Sequence, residues 1–213
     1  MPAHDADAGF KRLWPTVILE RTVPGHEAPD RLLLALIEHL EHEHPDLTTD
    51  YRGRDFLSRG DAAVQWLTQC INVSVRDYFA HLGMDYDIRW SVHAWPNVNR
   101  FGDYHDAHNH PRSYLSGTYY VQVPQLVEPQ RGRSDLRPGC ISLYDPRSMV
   151  NMTAIKGDPY VNPEYTVSPS AGMILMWPAF LNHFVHPNLC TQPRVSVSFN
   201  VMLQWSDEYL PKQ

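Results

Sequence analysis

Apolar positions in the first part of the chain recur at helical spacing. Leu32, Leu33, Leu36, Ile37 and Leu40 repeat every three or four residues until Pro45 forbids continuation, which predicts an amphipathic helix. Val64, Leu67, Ile71, Val75, Tyr78 and Leu82 predict a second helix, with Asp61 as its N-cap and Gly83 as its stop. Before them, 10–22 reads as an edge strand interrupted by Pro15, and 48–60 is polar and reads as loop. Beyond Gly83 the period changes to two. Ile88, Trp90, Val92 and Ala94 fall on one face, against Arg89, Ser91, His93 and Trp95 on the other. Further short strands are predicted at 108–110, 115–123, 139–144, 165–167, 173–176, 184–186 and 194–204, separated by turn residues. Together with 88–97 these make eight strands, the pattern of a mainly β protein with N-terminal helices. The expected fold is a double-stranded β-helix, a cupin-like jelly roll, with the helices on the outer face of one sheet. A single domain over 1–213 is expected, with 1–85 as strand and supporting helices and 86–205 as the jelly-roll core. Polar loops at 128–138 and 147–163 would cover a pocket mouth.

Composition narrows the partners. A formal charge of -6 and a pI near 6.0 argue against nucleic acid and anionic membranes. Cys70, Cys140 and Cys190 are odd in number and lack Cys-x-x-Cys spacing, so a reducing cytoplasm is the natural setting. The N-terminus lacks the basic and apolar regions of a signal peptide, and no apolar window is long enough to cross a bilayer. The oligomeric state is open, a homodimer included.

The candidate chemistry is concentrated around Asp103, His105, Asp106, His108 and His110. If the chain is extended from His108 onward, His108 and His110 share a face and form half of a metal site. The other half must come from a distant strand, and Met176 to Pro187 offers His183 and His186. Farther on, Arg194, Ser196, Ser198 and Asn200 alternate with Val195, Val197, Phe199 and Val201. A guanidinium beside hydroxyls and an amide suits a small carboxylate ligand. His39, His42 and His44 close the first helix among glutamates, and read as a solvated helix end rather than a second metal site.

Two histidines at i and i+2, a distal histidine and a later arginine resemble the 2-oxoglutarate and Fe(II)-dependent oxygenase superfamily over 88–202. The segment from Pro169 through Gly172 to Trp177 leads to His183, and Arg194 lies eleven residues beyond it. Tyr119-Tyr120-Val121 is similar to the Tyr-Tyr-Leu strand of prolyl-hydroxylase-like members. A narrower likeness is to bacterial and phage-type oxygenases carrying His-x-His-Pro, Leu-Ser-Gly with Tyr-Tyr, Leu-x-His-x-Val-x-Pro and Arg-Val-Ser-Val-Ser-Phe-Asn. The resemblance implies a non-haem Fe(II) dioxygenase with His108, His110 and His183 as metal ligands. It also implies that Arg194, Ser196 and Tyr120 hold 2-oxoglutarate, which dioxygen converts to succinate while a substrate is oxidised. The departure is His110, which stands where the wider superfamily has a carboxylate, so the site is one unit more positive and use of 2-oxoglutarate is the open point. Asp106 is the alternative ligand if the strand begins earlier, and His186 the alternative to His183. His105 reads as a loop residue that steadies a ligand from outside the metal shell.

Two rival readings stay open at this level. Gly102, five residues, then His108-x-His110 also fits the first half of a cupin signature, without its expected glutamate, for a metal-dependent dioxygenase or isomerase that does not use 2-oxoglutarate. The other is a non-enzymatic metal-binding module. The primary substrate, small molecule or protein, is not legible.

Overall fold

In a computed structural model the described residues are 14–44, 47–48, 55–84, 88–125, 135–147 and 162–204. Of the two expected covering loops, 128–134 and 148–161 lie outside these, as does 10–13 of the expected first strand. The chain runs β1 (Leu19–Thr22), α1 (Glu27–Glu43), a 3-10 turn (Phe56–Ser58), α2 (Ala62–His81), β2 (Arg89–Asn99) and β3 (His105–His108). It continues with β4 (Leu115–Gln122), β5 (Ile141–Tyr144), β6 (Glu164–Val167), β7 (Met173–Pro178), β8 (His183–Val185) and β9 (Arg194–Gln204).

All pairings are antiparallel, in a five-stranded sheet of order β1-β7-β4-β9-β2 and a four-stranded sheet of order β3-β8-β5-β6. This is the double-stranded β-helix. The alternation read from β9 holds: Val195, Val197, Phe199 and Val201 are buried against the helices, together with Leu33, Ile37, Leu67, Ile71 and Val75. Gly117 on β4 permits that packing, because a Cβ there would lie 2.3 Å from the Phe199 ring and 2.7 Å from the Leu175 carbonyl oxygen. Between the sheets the interior is divided. Tyr120, Ile141, Leu143, Val167, Leu175 and Trp177 form an apolar cluster, while the β2 and β9 half presents asparagine, serine and arginine.

Several local expectations shift. Among the described residues of the expected first strand only Leu19–Thr22 pair in a sheet, since Pro15 lacks an N–H and Trp14 sits at φ 54°. Helix α1 begins five residues before Leu32, because Pro29 is tolerated in a first turn, and Leu32 itself is exposed. Asp61 occupies the N-cap of α2, but its side chain accepts from Arg59 rather than from the helix. Gly83, at φ 70°, does end α2.

Of the expected loop 48–60, 49–54 lie outside the described residues; the remainder contains the short 3-10 turn and seals the free edge of β2. Asp55 Oδ1 accepts from the Ala94 N–H at 2.9 Å and Thr48 Oγ1 from the Val98 N–H at 2.9 Å, while Pro96 between them has no N–H to satisfy. No helix among the described residues is long and apolar enough to cross a membrane.

Candidate metal and co-substrate site

A cavity of about 900 Å³ opens between the sheets, lined by Trp95, Asn97, Asn99, His105, His108, His110, Tyr120, Trp177, His183, Arg194 and Ser196 among others. The ligand nitrogens of His108, His110 and His183 all lie within 4.8 Å of one another. His108 and His183 are direct partners across the β3–β8 ladder, with ring centroids 4.3 Å apart.

His110 joins them by a route that strand alternation did not foresee. The strand ends at His108, after an irregularity in its register, and His110 lies in the turn before Pro111. Its N–H donates to the Ala179 carbonyl at 3.0 Å, which anchors the turn to the end of β7. The pair therefore converges through a turn, not on one strand face.

The rings are held with their ligating nitrogens available. A carbonyl oxygen can only accept, so His183 Nδ1 donates to Leu181 O at 3.2 Å and His108 Nδ1 to Asp106 O at 2.6 Å, leaving both Nε2 lone pairs free. His110 Nδ1 faces the Asn200 amide at 3.3 Å, and that amide accepts the Ser116 hydroxyl at 2.5 Å. Turning the amide over keeps both contacts and makes Asn200 Oδ1 the acceptor from His110 Nδ1, which frees His110 Nε2 as well. Three neutral imidazoles so arranged fit a divalent transition metal such as Fe(II).

Burial, with neighbouring histidines, pushes His183 down to about 3 and His110 to about 4. Burial and the Arg194 charge hold His105 at about 4. Between pH 6.5 and 4 these rings stay neutral in the fold but take up protons when unfolded, so stability falls as pH falls through that window. The expected steepness is about 1.4 kcal/mol per pH unit for each imidazole. Urea midpoints of the metal-free protein should drop markedly from pH 7 to pH 5, and a flat profile would refute this account.

The other end of the cavity is cationic. Arg194 is 2% exposed, and among the described residues it has no carboxylate partner. Its NH1 donates to Gly139 O at 3.0 Å, its NH2 to Asn99 Oδ1 at 2.9 Å, and its Nε to nothing. A buried charge left unneutralised by protein is costly, and an anionic ligand would offset it. Tyr120 and Ser196 line the same cavity, and burial pushes the Tyr120 hydroxyl up to about 12, so it stays protonated.

The remaining candidates separate cleanly. His186 lies away from the cavity, its Nε2 2.8 Å from the buried Ser142 hydroxyl. Asp106 is exposed at the mouth, its carboxylate accepting from the Ala107 N–H, and it is not in the cluster. His39 is a helix-end residue 3.5 Å from Glu43. Asn97 and Asn99, both 1% exposed, were not singled out from sequence. Their signal was available, since both continue the inward face that starts at His93 and Trp95.

A family model described as "Putative 2OG-Fe(II) oxygenase" matches residues 93–200, about half of the chain, a span that includes the histidine cluster and Arg194. The chain belongs to the 2OG-Fe(II) oxygenase family. Solved structures of such enzymes share its fold. A Pseudomonas putida prolyl-4-hydroxylase superposes with a TM-score of 0.59 at 12% identity, over 94% of this chain and 92% of that one. A Trichoplax adhaerens prolyl hydroxylase in complex with a hypoxia inducible factor peptide gives 0.52 at 14%, over 87% and 83%. The α-ketoglutarate-dependent epimerase SnoN from nogalamycin biosynthesis gives 0.52 at 14%, over 87% and 77%. A search of curated proteins finds no match. Family membership carries Fe(II), 2-oxoglutarate and dioxygen with it, and so decides against the cupin and binding-module readings.

Proposed function

We propose that His108, His110 and His183 hold the Fe(II) of this oxygenase and that Arg194, assisted by Tyr120 and Ser196, receives the far carboxylate of 2-oxoglutarate. One observation carries the assignment: a cluster of three metal-competent imidazoles and a buried, unneutralised guanidinium line a single cavity. Replacing the usual carboxylate by His110 leaves the metal with its full positive charge, which favours an anionic co-ligand.

Bound Fe(II) and 2-oxoglutarate supply the oxidising chemistry with dioxygen. The chain's own residues bind, orient and exclude water. Arg194 offers a planar fork of donors to one carboxylate, and Tyr120 and Ser196 offer hydroxyls. Trp95 and Trp177, each beside a ligand histidine, wall the metal end. The acidic net charge supports a primary substrate other than a polyanion, and three free thiols support a reducing compartment such as the cytoplasm.

Metal content of freshly purified protein, with succinate release measured in its presence, tests the proposal. Iron near one equivalent and 2-oxoglutarate-dependent succinate are expected. Metal-dependent activity indifferent to 2-oxoglutarate would overturn the co-substrate assignment.

A further inference from the structure

His105 lies three residues before His108 at the start of β3, lines the cavity, and is near enough to Arg194 to feel its charge. The polarity of its hydrogen bonds can be followed from Arg194, which has donors only. Arg194 NH2 donates to Asn99 Oδ1, so that atom must be the carbonyl oxygen and the Asn99 amide has one orientation. Asn99 Nδ2 then points at His105 Nε2, 3.1 Å away, and must donate to it. His105 Nε2 is therefore an acceptor, and the neutral ring carries its proton on Nδ1. Among the described residues nothing accepts from that Nδ1, it is not among the sealed, partnerless buried atoms, and the ring that carries it lines the cavity.

We propose that His105 is a further binding residue for the anionic co-substrate, donating from Nδ1 to the carboxylate that Arg194 receives. This rests on the assignment of 2-oxoglutarate to the Arg194 end. The chemistry matches on both sides: 2-oxoglutarate presents only acceptors, two carboxylates and a keto oxygen, and the chain Arg194, Asn99, His105 ends in an N–H. Because the ring is neutral, it adds a directed donor beside the guanidinium without adding charge repulsion. Asn99 has a positioning role, turning the imidazole so that its donor faces the ligand.

The rival account is that His105 only ties β3 to the end of β2 through Asn99. Titration of 2-oxoglutarate into Mn(II)-loaded protein separates the two. For His105→Phe the affinity for 2-oxoglutarate is expected to fall about tenfold or more, the usual worth of a hydrogen bond to a charged group. Mn(II) affinity should be unchanged. In His105→Gln the side-chain oxygen can accept from Asn99 and the amide can donate into the cavity, so binding should stay within about threefold of wild type. Glutarate, which keeps both carboxylates but lacks the keto oxygen, should weaken by a similar factor in His105→Phe. If that variant does not fold, His105→Leu takes its place in the same comparison.

Wild-type 2-oxoglutarate affinity in the apolar variants, an equal loss of Mn(II) affinity, or failure of His105→Gln to restore binding would each overturn the proposal. Wild-type protein that takes up Mn(II) but no 2-oxoglutarate would instead overturn the co-substrate assignment itself.

Discussion

Exchange of His183 for alanine is expected to strip the protein of its metal, lowering affinity by more than about 100-fold, beyond what loss of an outer hydrogen-bond partner costs. The ring is 3% exposed, tethered to Leu181 O, and packed edge-on against Trp177 at 4.9 Å, so it is held in place for its ligand role. Two imidazoles would be left where three converge. His186→Ala is the matched control, because that ring is tied to Ser142 away from the cavity. Metal analysis of the two purified variants should find His183→Ala empty and His186→Ala loaded. Equal metal in both would sink the triad.

Loss of the Arg194 charge is expected to act on the other ligand. Arg194→Met removes the only cation at the buried end of the cavity among the described residues, while keeping most of the stem's volume. Truncating one side of a buried, hydrogen-bonded charge pair costs about 2–5 kcal/mol, which corresponds to roughly 30-fold to several thousand-fold weaker binding of 2-oxoglutarate. Metal content should survive, because Arg194 is not in the histidine cluster. Arg194→Lys should rescue poorly, since an ammonium cannot donate as a planar fork to Gly139 O, Asn99 Oδ1 and a carboxylate together. Fold stability should change little by comparison. Two hydrogen bonds are lost, but so is a charge that the free protein buries without a counterion. Isothermal titration of the metal-loaded variants measures the effect, and unaltered 2-oxoglutarate affinity in Arg194→Met would refute the role.

The two predictions differ in how much of their basis was legible beforehand. Arg194 and its neighbours could be placed from sequence because β9 has one apolar face and one polar face over most of its length. Apolar residues face the helices, polar ones face the cavity, and a period of two records that division. His183 could be preferred over His186 only through its motif. Residues three apart on a strand point to opposite sides, but nothing local says which side is interior. Packing of β8 between β3 and β5 decides it.

His110 shows the reverse case, a residue that reaches the histidine cluster by a turn and not by the strand face expected for it. Its place depends on a turn anchored to Ala179, nearly seventy residues away. His105 was set aside as a residue steadying a ligand, because its relation to Arg194 runs through Asn99 and across two sheets.

By itself the amino-acid order determined the elements and their faces, since helical and extended backbones impose periods of 3.6 and 2 on whatever is buried. It also determined the inventory of imidazoles and the guanidinium. Only the tertiary structure decided which of those groups meet, because antiparallel pairing and the stacking of two sheets bring together residues separated by seventy to ninety positions, and burial then sets their charge states. The local chain carries no record of those distances.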